Sequence, residues 1–103
     1  MVQHRLTGLT ARARKVRKVP KFRLGALESC IIEHESSGER YAMNGENESY
    51  YQWSPATWRY AEHVVGHYYS WLARDADLEA QTLTFRRYWP GHESEWSTAP
   101  LCS

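Results

Sequence analysis

The stretch Leu24-Gly25-Ala26-Leu27-Glu28-Ser29-Cys30-Ile31-Ile32-Glu33-His34-Glu35-Ser36-Ser37-Gly38 decides how this chain is read. Leu24, Leu27, Ile31 and Glu35 recur at steps of three and four, which predicts a helix over 24–35 with one core-facing stripe. Ser36-Ser37-Gly38 ends it, with Gly38 placed to take a left-handed cap. The stripe closes on a carboxylate. At the last turn of a helix packed on a core, Glu35 is partly desolvated, and desolvation disfavours the charged form. The partial negative charge of the helix C-terminus acts in the same direction. Both effects raise the pKa, toward a carboxylic acid that protonates a leaving oxygen near neutral pH. A Glu that swings into water is the competing reading of the same spacing.

Working outward, residues 36–53 form a polar run with Gly38, Asn44, Gly45, Asn47 and Ser49. It is predicted to lie outside the core as a loop, with room for a short hairpin given Tyr50, Tyr51 and Trp53 near its end. The Asn47-Glu48-Ser49 sequon is taken as chance. Ser54-Pro55 opens a second helix, with Ser at the cap and Pro at the first helical position. It runs to about Val65, with Trp58, Ala61 and Val65 inward, until Gly66 interrupts it. The aromatic run His67-Tyr68-Tyr69-Ser70-Trp71-Leu72 follows. A third helix opens at Asp75, with Asp77 and Glu79 in a first turn that favours acids. Leu78, Thr82, Phe85 and Trp89 line one face, and Pro90-Gly91 stops it. The last dozen residues, which include Trp96, carry no clear period. The expected class is mainly α: a small helical domain with a polar loop or short hairpin between the first two helices.

Length and charge divide the chain. At 103 residues there is room for one domain. A hydrophobic fraction of 42% against 24% charge excludes wholesale disorder. No apolar run is long enough for a membrane-spanning helix. Residues 1–27 hold eight of the 13 Lys and Arg and none of the 12 acids, so a basic arm precedes an acidic body. We place the arm at 1–23 and the body at 24–103. Arg5 is not followed by an apolar run of signal-peptide length, so no ordinary secretion signal is expected. Such an arm suits a solvated tail, or contact with nucleic-acid phosphates, anionic lipid or acidic wall polymers. Five Trp, seven Tyr and two Phe, mostly after residue 40, fill a small core or supply flat faces for a wet cleft. Cys30 and Cys102 sit near the two ends of the body. Composition leaves open both a bridge, which on the chain-entropy model contributes about 4 kcal/mol, and two reduced buried thiols.

Tyr51-Gln52-Trp53-Ser54-Pro55-Ala56-Thr57-Trp58 brings two Trp, a Tyr and a Gln amide together where a loop enters a helix. Stacking faces and an amide suit sugar rings. Taken with Cys30 through Gly38, then Ala42-Met43-Asn44, Tyr51-Gln52-Trp53 and Thr57-Trp58, the chain resembles the transglycosylase-like family of lysozyme-fold wall hydrolases. That family includes the catalytic domain of resuscitation-promoting factors. Its pattern is a Cys in a helix, Glu-Ser-x-Gly at the helix end, an Ala-x-Asn loop, a (Tyr/Leu)-Gln-Phe turn and Thr-Trp on the next helix. The likeness continues through Asp75 to Trp89, with Gln81, and through the closing Trp96 and Cys102, and so covers 24–103. It implies a lysozyme-like α+β fold and Glu35 as catalytic acid/base. It implies Tyr51, Gln52, Trp58 and Asn44 as residues of, or supporting, the glycan cleft, and Cys30–Cys102 as a disulfide. The departures are Ser37 and Ser49 where the family favours Gly, Trp53 where it has Phe, and the loop acids Glu46 and Glu48.

The resemblance implies cleavage of the β-1,4 bond between N-acetylmuramic acid and N-acetylglucosamine in peptidoglycan. Glu35 protonates the bridging oxygen as an oxocarbenium-like transition state forms. A muramidase needs a second carboxylate, for which Glu46 and Glu48 are the candidates, although each reads better as an exposed loop acid. Related lytic transglycosylases work with one Glu: the substrate's acetamide assists and the muramic 6-hydroxyl closes a 1,6-anhydro ring. No cofactor is expected. His63 and His67 stand at i and i+4, but a third ligand is wanting, so no metal site is assigned. Compactness and the missing secretion signal fit a phage-encoded product, a lysin or a virion component acting at the cell wall. The alternative is a virion structural or wall-binding module with little activity, held to phage structural proteins by its arm. A nucleic-acid-binding role of residues 5–23 ranks third, since the body has no base-reading motif.

Overall fold

The computed structural model describes residues 22–102, and the basic arm expected over 1–23 lies outside that range except for Phe22 and Arg23. Among the described residues, three helices of equal length and one minimal hairpin make up the architecture: α1 (Ala26–Ser36), β1 (Met43–Asn44), β2 (Asn47–Glu48), α2 (Pro55–Val65) and α3 (Leu78–Tyr88). Short 3-10 turns at Ala73–Asp75, Glu93–Glu95 and Ala99–Cys102 complete it. The class is mainly α, with the hairpin between the first two helices.

Local chemistry sets each boundary. The α1 helix begins two residues later than expected, at Ala26, because Glu28 Oε1 accepts the Gly25 N–H at 2.6 Å and so fixes the first turn. At its other end Ser37, not Gly38, takes the left-handed cap, with φ 54° and its N–H donated to Glu33 O. Gly38 follows with φ 80°. The α2 helix starts where Ser54-Pro55 predicts: Ser54 Oγ accepts the Thr57 N–H at 3.1 Å, and Gly66 ends it at φ 85°. The α3 helix opens at Leu78 rather than Asp75. Asp77 Oδ1 caps it by accepting the Ala80 N–H at 2.8 Å, while Asp75 belongs to the preceding 3-10 turn.

The core is aromatic. Trp53 sits at its centre, with its ring 5.2 Å from Trp58 and 5.4 Å from Trp96, and Tyr51 stacks on Phe85 at 4.5 Å. Ile31 and Ile32 of α1 join this cluster, and α2 packs on α3.

The expectation that 36–53 lies outside the core holds for 37–47, which are exposed or half-buried, and fails at Ser36 and over 48–53. Glu48, Ser49, Tyr51, Gln52 and Trp53 are all buried. Polar groups bury at little cost when their hydrogen bonds are made. Here they are made largely by a tight loop closed by paired Glu48 and Trp53 backbones, at 2.8 and 2.9 Å. The hairpin lies earlier than Tyr50 to Trp53, with Met43 opposite Glu48 and Asn44 opposite Asn47.

One ion pair joins the start of α1 to the end of α3. Arg86 donates from Nε to Glu28 Oε2 at 2.5 Å and from Nη2 to Glu28 Oε1 at 2.9 Å, and also reaches Arg23 O. Burial pushes the Glu28 carboxyl up, but the Arg86 hydrogen bonds, the Gly25 N–H and the Arg86 charge outweigh it, and the net shift is downward. A carboxyl depressed by folding stabilises the protein above the ordinary carboxylate range and loses that contribution as pH falls through its folded value. Glu28→Gln is expected to lower the melting temperature at pH 7 by about 5–10 °C. The gap to the parent should narrow as pH falls below the ordinary carboxylate range and through the depressed folded value of Glu28. A gap that stays constant across a calorimetric pH series contradicts this.

Candidate active site

Glu35 lies in the last turn of α1 and is half-buried, as its place at the end of the apolar stripe predicts. Two contacts position it. The Ser36 hydroxyl lies 2.8 Å from Tyr50 O and 3.1 Å from Ile32 O, which ties the helix end to the loop. Thr98 donates its hydroxyl to Glu35 Oε2 at 2.5 Å. Thr98 arrives from the far end of the chain, and the reason it can is covalent. Cys30 of α1 is bonded to Cys102, which anchors the final turn Ala99–Cys102 against the helix. Thr98 escaped the sequence reading because the tail around it has no period.

The other carried-over residues fall into two groups. Asn44 is exposed on β1 beside the hairpin turn. Tyr51 and Trp58 have no exposed surface and lie in the core. The Tyr51 hydroxyl is hydrogen-bonded to Thr82 Oγ1 at 2.7 Å, and burial pushes its phenol well above the ordinary range. Trp58 Nε1 donates to Ser70 O at 3.0 Å, holding the turn after α2.

Gln52 divides between the two roles. Its Nε2 donates to Ala42 O and Ser49 O, which fastens the loop. Its Oε1 is buried with no partner among the described residues, as is Trp53 Nε1. Both side chains line a narrow polar cleft of about 90 Å³ with Asn47, Ser54, Thr57, Glu95 and Trp96. Two residues on from Trp96 is Thr98, the partner of Glu35. The two unpartnered atoms are themselves buried, so it is the residues and not these atoms that border the cleft.

The second-carboxylate candidates separate as well. Glu46 is exposed. Glu48 is not the exposed loop acid expected of it. It is buried, its Oε2 accepts the Arg74 N–H at 3.1 Å and its Oε1 lies 3.7 Å from Arg74 Nη1. That carboxylate is occupied in holding the hairpin to the turn at Ala73–Asp75. Among the described residues no other carboxylate is paired with Glu35.

Cys30, His34 and Cys102 come together, but both sulfurs are bonded to each other and are not thiolate ligands. His63 Nδ1 is hydrogen-bonded to the Tyr68 hydroxyl at 3.2 Å. No family model, curated protein or solved structure matches the chain.

The two Ser residues that stand in place of Gly now have a physical meaning. Ser37 and Ser49 both take left-handed backbone, at φ 54° and 74°. That conformation costs a side-chain-bearing residue about 1 kcal/mol. Ser49 recovers part of it, because its Oγ accepts from the core amide of Gln81 at 2.8 Å. Ser37 is exposed and makes no such contact. Ser37→Gly is therefore expected to raise the melting temperature by about 4–8 °C, whereas Ser49→Gly should give no gain. Scanning calorimetry decides it, and an unstabilised Ser37→Gly contradicts the strain argument.

Proposed function

We propose that this chain cleaves the glycan strands of peptidoglycan at the β-1,4 bond between N-acetylmuramic acid and N-acetylglucosamine, as a lysozyme-like lytic transglycosylase. One observation carries the reading: Glu35, at the half-buried end of α1, is held by a single directed hydrogen bond from Thr98. The resemblance of 24–103 to the transglycosylase-like family supports it. So does the polar cleft lined by Asn47, Gln52 and Thr57.

The chemistry follows from which groups are occupied. Thr98 donates to Oε2, which leaves Oε1 as the oxygen free to give and take a proton. Glu35 gives this proton to the bridging oxygen, and the bond from that oxygen to the muramic C1 breaks. With Glu48 engaged by Arg74, the substrate's acetamide oxygen stabilises C1. The muramic 6-hydroxyl then attacks C1, and its proton returns to Glu35 Oε1. No water is consumed, and the carboxylic acid is regenerated. Thr98 is a positioning residue in this scheme. Gln52 and the exposed Asn44 border the glycan, while Tyr51 and Trp58 brace them from the core. The site of action is the cell wall or a virion that opens it, with the basic arm engaging acidic partners there.

Glu35→Gln keeps the shape and removes the proton, and should lower release of dye-labelled wall fragments by about 10²–10⁴-fold with the melting temperature nearly unchanged. Thr98→Val should lower kcat by roughly tenfold at similar KM, and Thr98→Ser should restore it. Undiminished wall release by Glu35→Gln overturns the proposal and leaves a wall-binding or virion structural module.

A further inference from the structure

A second feature lies away from Glu35. The turn that follows α2 displays aromatic rings to solvent: Tyr68 is 71% exposed, Trp71 72% and Tyr69 41%. Isolated exposed rings are ordinary, but a cluster on one short turn is not. These rings are also held in place. Arg59 Cζ lies 3.6 Å over the Trp71 ring and Arg59 Nε donates to Trp71 O, so one face of the indole is backed and the other is left open. The Tyr68 hydroxyl is tied to His63, and Tyr69 stacks on His67 at 5.7 Å. The backbone beneath is fixed by the buried Glu62, whose Oε2 accepts the N–H groups of Tyr69 and Ser70 at 2.5 and 3.3 Å.

Arg59, Glu62, Tyr68, Tyr69, Ser70 and Trp71 surround a cavity of about 320 Å³, the lower end of the range for small-ligand pockets. Glu62 is only 3% exposed, yet its second oxygen accepts no donor among the described residues. A buried carboxylate that spends one oxygen on the backbone has one left to accept a ligand hydroxyl.

We propose that this turn is a second glycan-binding site, which takes a neutral pyranose ring stacked on the open face of Trp71, with a ring hydroxyl donated to Glu62. The charges select the ligand class. Arg59 and Glu62 offset each other, and Arg59 is already committed to Trp71, so a phosphate finds no cationic clamp. A lipid chain has no use for the Glu62 acceptor. The choice of an amino sugar rests on the glycan-strand reading above; the pinned aromatic platform does not. Together with the catalytic site proposed at Glu35, a second site would retain the enzyme on a polymer between cuts.

The test uses the full chain carrying Glu35→Gln, titrated with an N-acetylglucosamine tetramer by NMR and co-sedimented with purified peptidoglycan. Shifts should appear at the Trp71 indole N–H. Adding Trp71→Ala or Tyr68→Ala should weaken sedimentation roughly tenfold, and Trp71→Phe should largely restore it. Both positions are exposed, so circular dichroism and melting temperature should stay unchanged. Undiminished binding by the Trp71→Ala, Tyr68→Ala double variant overturns the proposal, as does Trp71-dependent binding of nucleic acid or lipid vesicles in place of glycan. If Glu35→Gln still cleaves the wall while Trp71→Ala loses the tetramer, the catalytic reading fails and this one stands.

Discussion

The fold depends on a buried amide. Gln81, fully buried in α3, directs its Nε2 at Ser49 Oγ, Ala73 O and Ala76 O, all within 2.9 Å. Two N–H groups shared among three acceptors join the loop before Tyr51, the 3-10 turn and the approach to α3 at one point. Without this polar centre the segment 48–53 would face water, as its composition suggests, and Trp53 would lose the seat from which it meets Trp58 and Trp96. A chain this short buries a smaller fraction of its surface than a large domain does. It compensates with aromatic volume around that amide and with a disulfide whose partners are 72 residues apart.

The same economy places the site. The Cys30–Cys102 bond is distant in sequence from the loop closures but local to the carboxylate. It holds the last turn on α1, so that Thr98 meets Glu35. Glu28 and Arg86 perform the matching task at the other end of α1. The helix that presents the acid is thus fixed in its first turn by an ion pair and near its middle by a covalent bond. The loop it leads into is closed by backbone pairing between Glu48 and Trp53.

Much of this was legible in the residues. The three helices follow from apolar spacing and from caps such as Ser54 and Asp77, because both signals are local. The disulfide followed from the resemblance and not from composition. What spacing could not supply was the fate of polar residues. Glu48, Glu62 and Gln81 look like solvent-facing groups in a one-dimensional pattern, yet all three are buried. Their hydrogen bonds go to backbone groups 5–26 residues away in the chain and to the Ser49 hydroxyl 32 away, which no periodicity records. Thr98 was missed for the same reason. The left-handed backbone at Ser37 and Ser49 was legible only as a departure from a family pattern that prefers Gly.

With Glu48 occupied by Arg74, the account relies on one carboxylate and on the substrate's own groups to complete the reaction. The identity of the products reports on this directly. Purified peptidoglycan is digested with the chain and the soluble muropeptides are weighed by mass spectrometry. Single-carboxylate chemistry predicts fragments one water lighter than hydrolysis products, with 1,6-anhydro ends. Reducing ends in their place would mean that a water had been activated by a second acid, and would contradict the account.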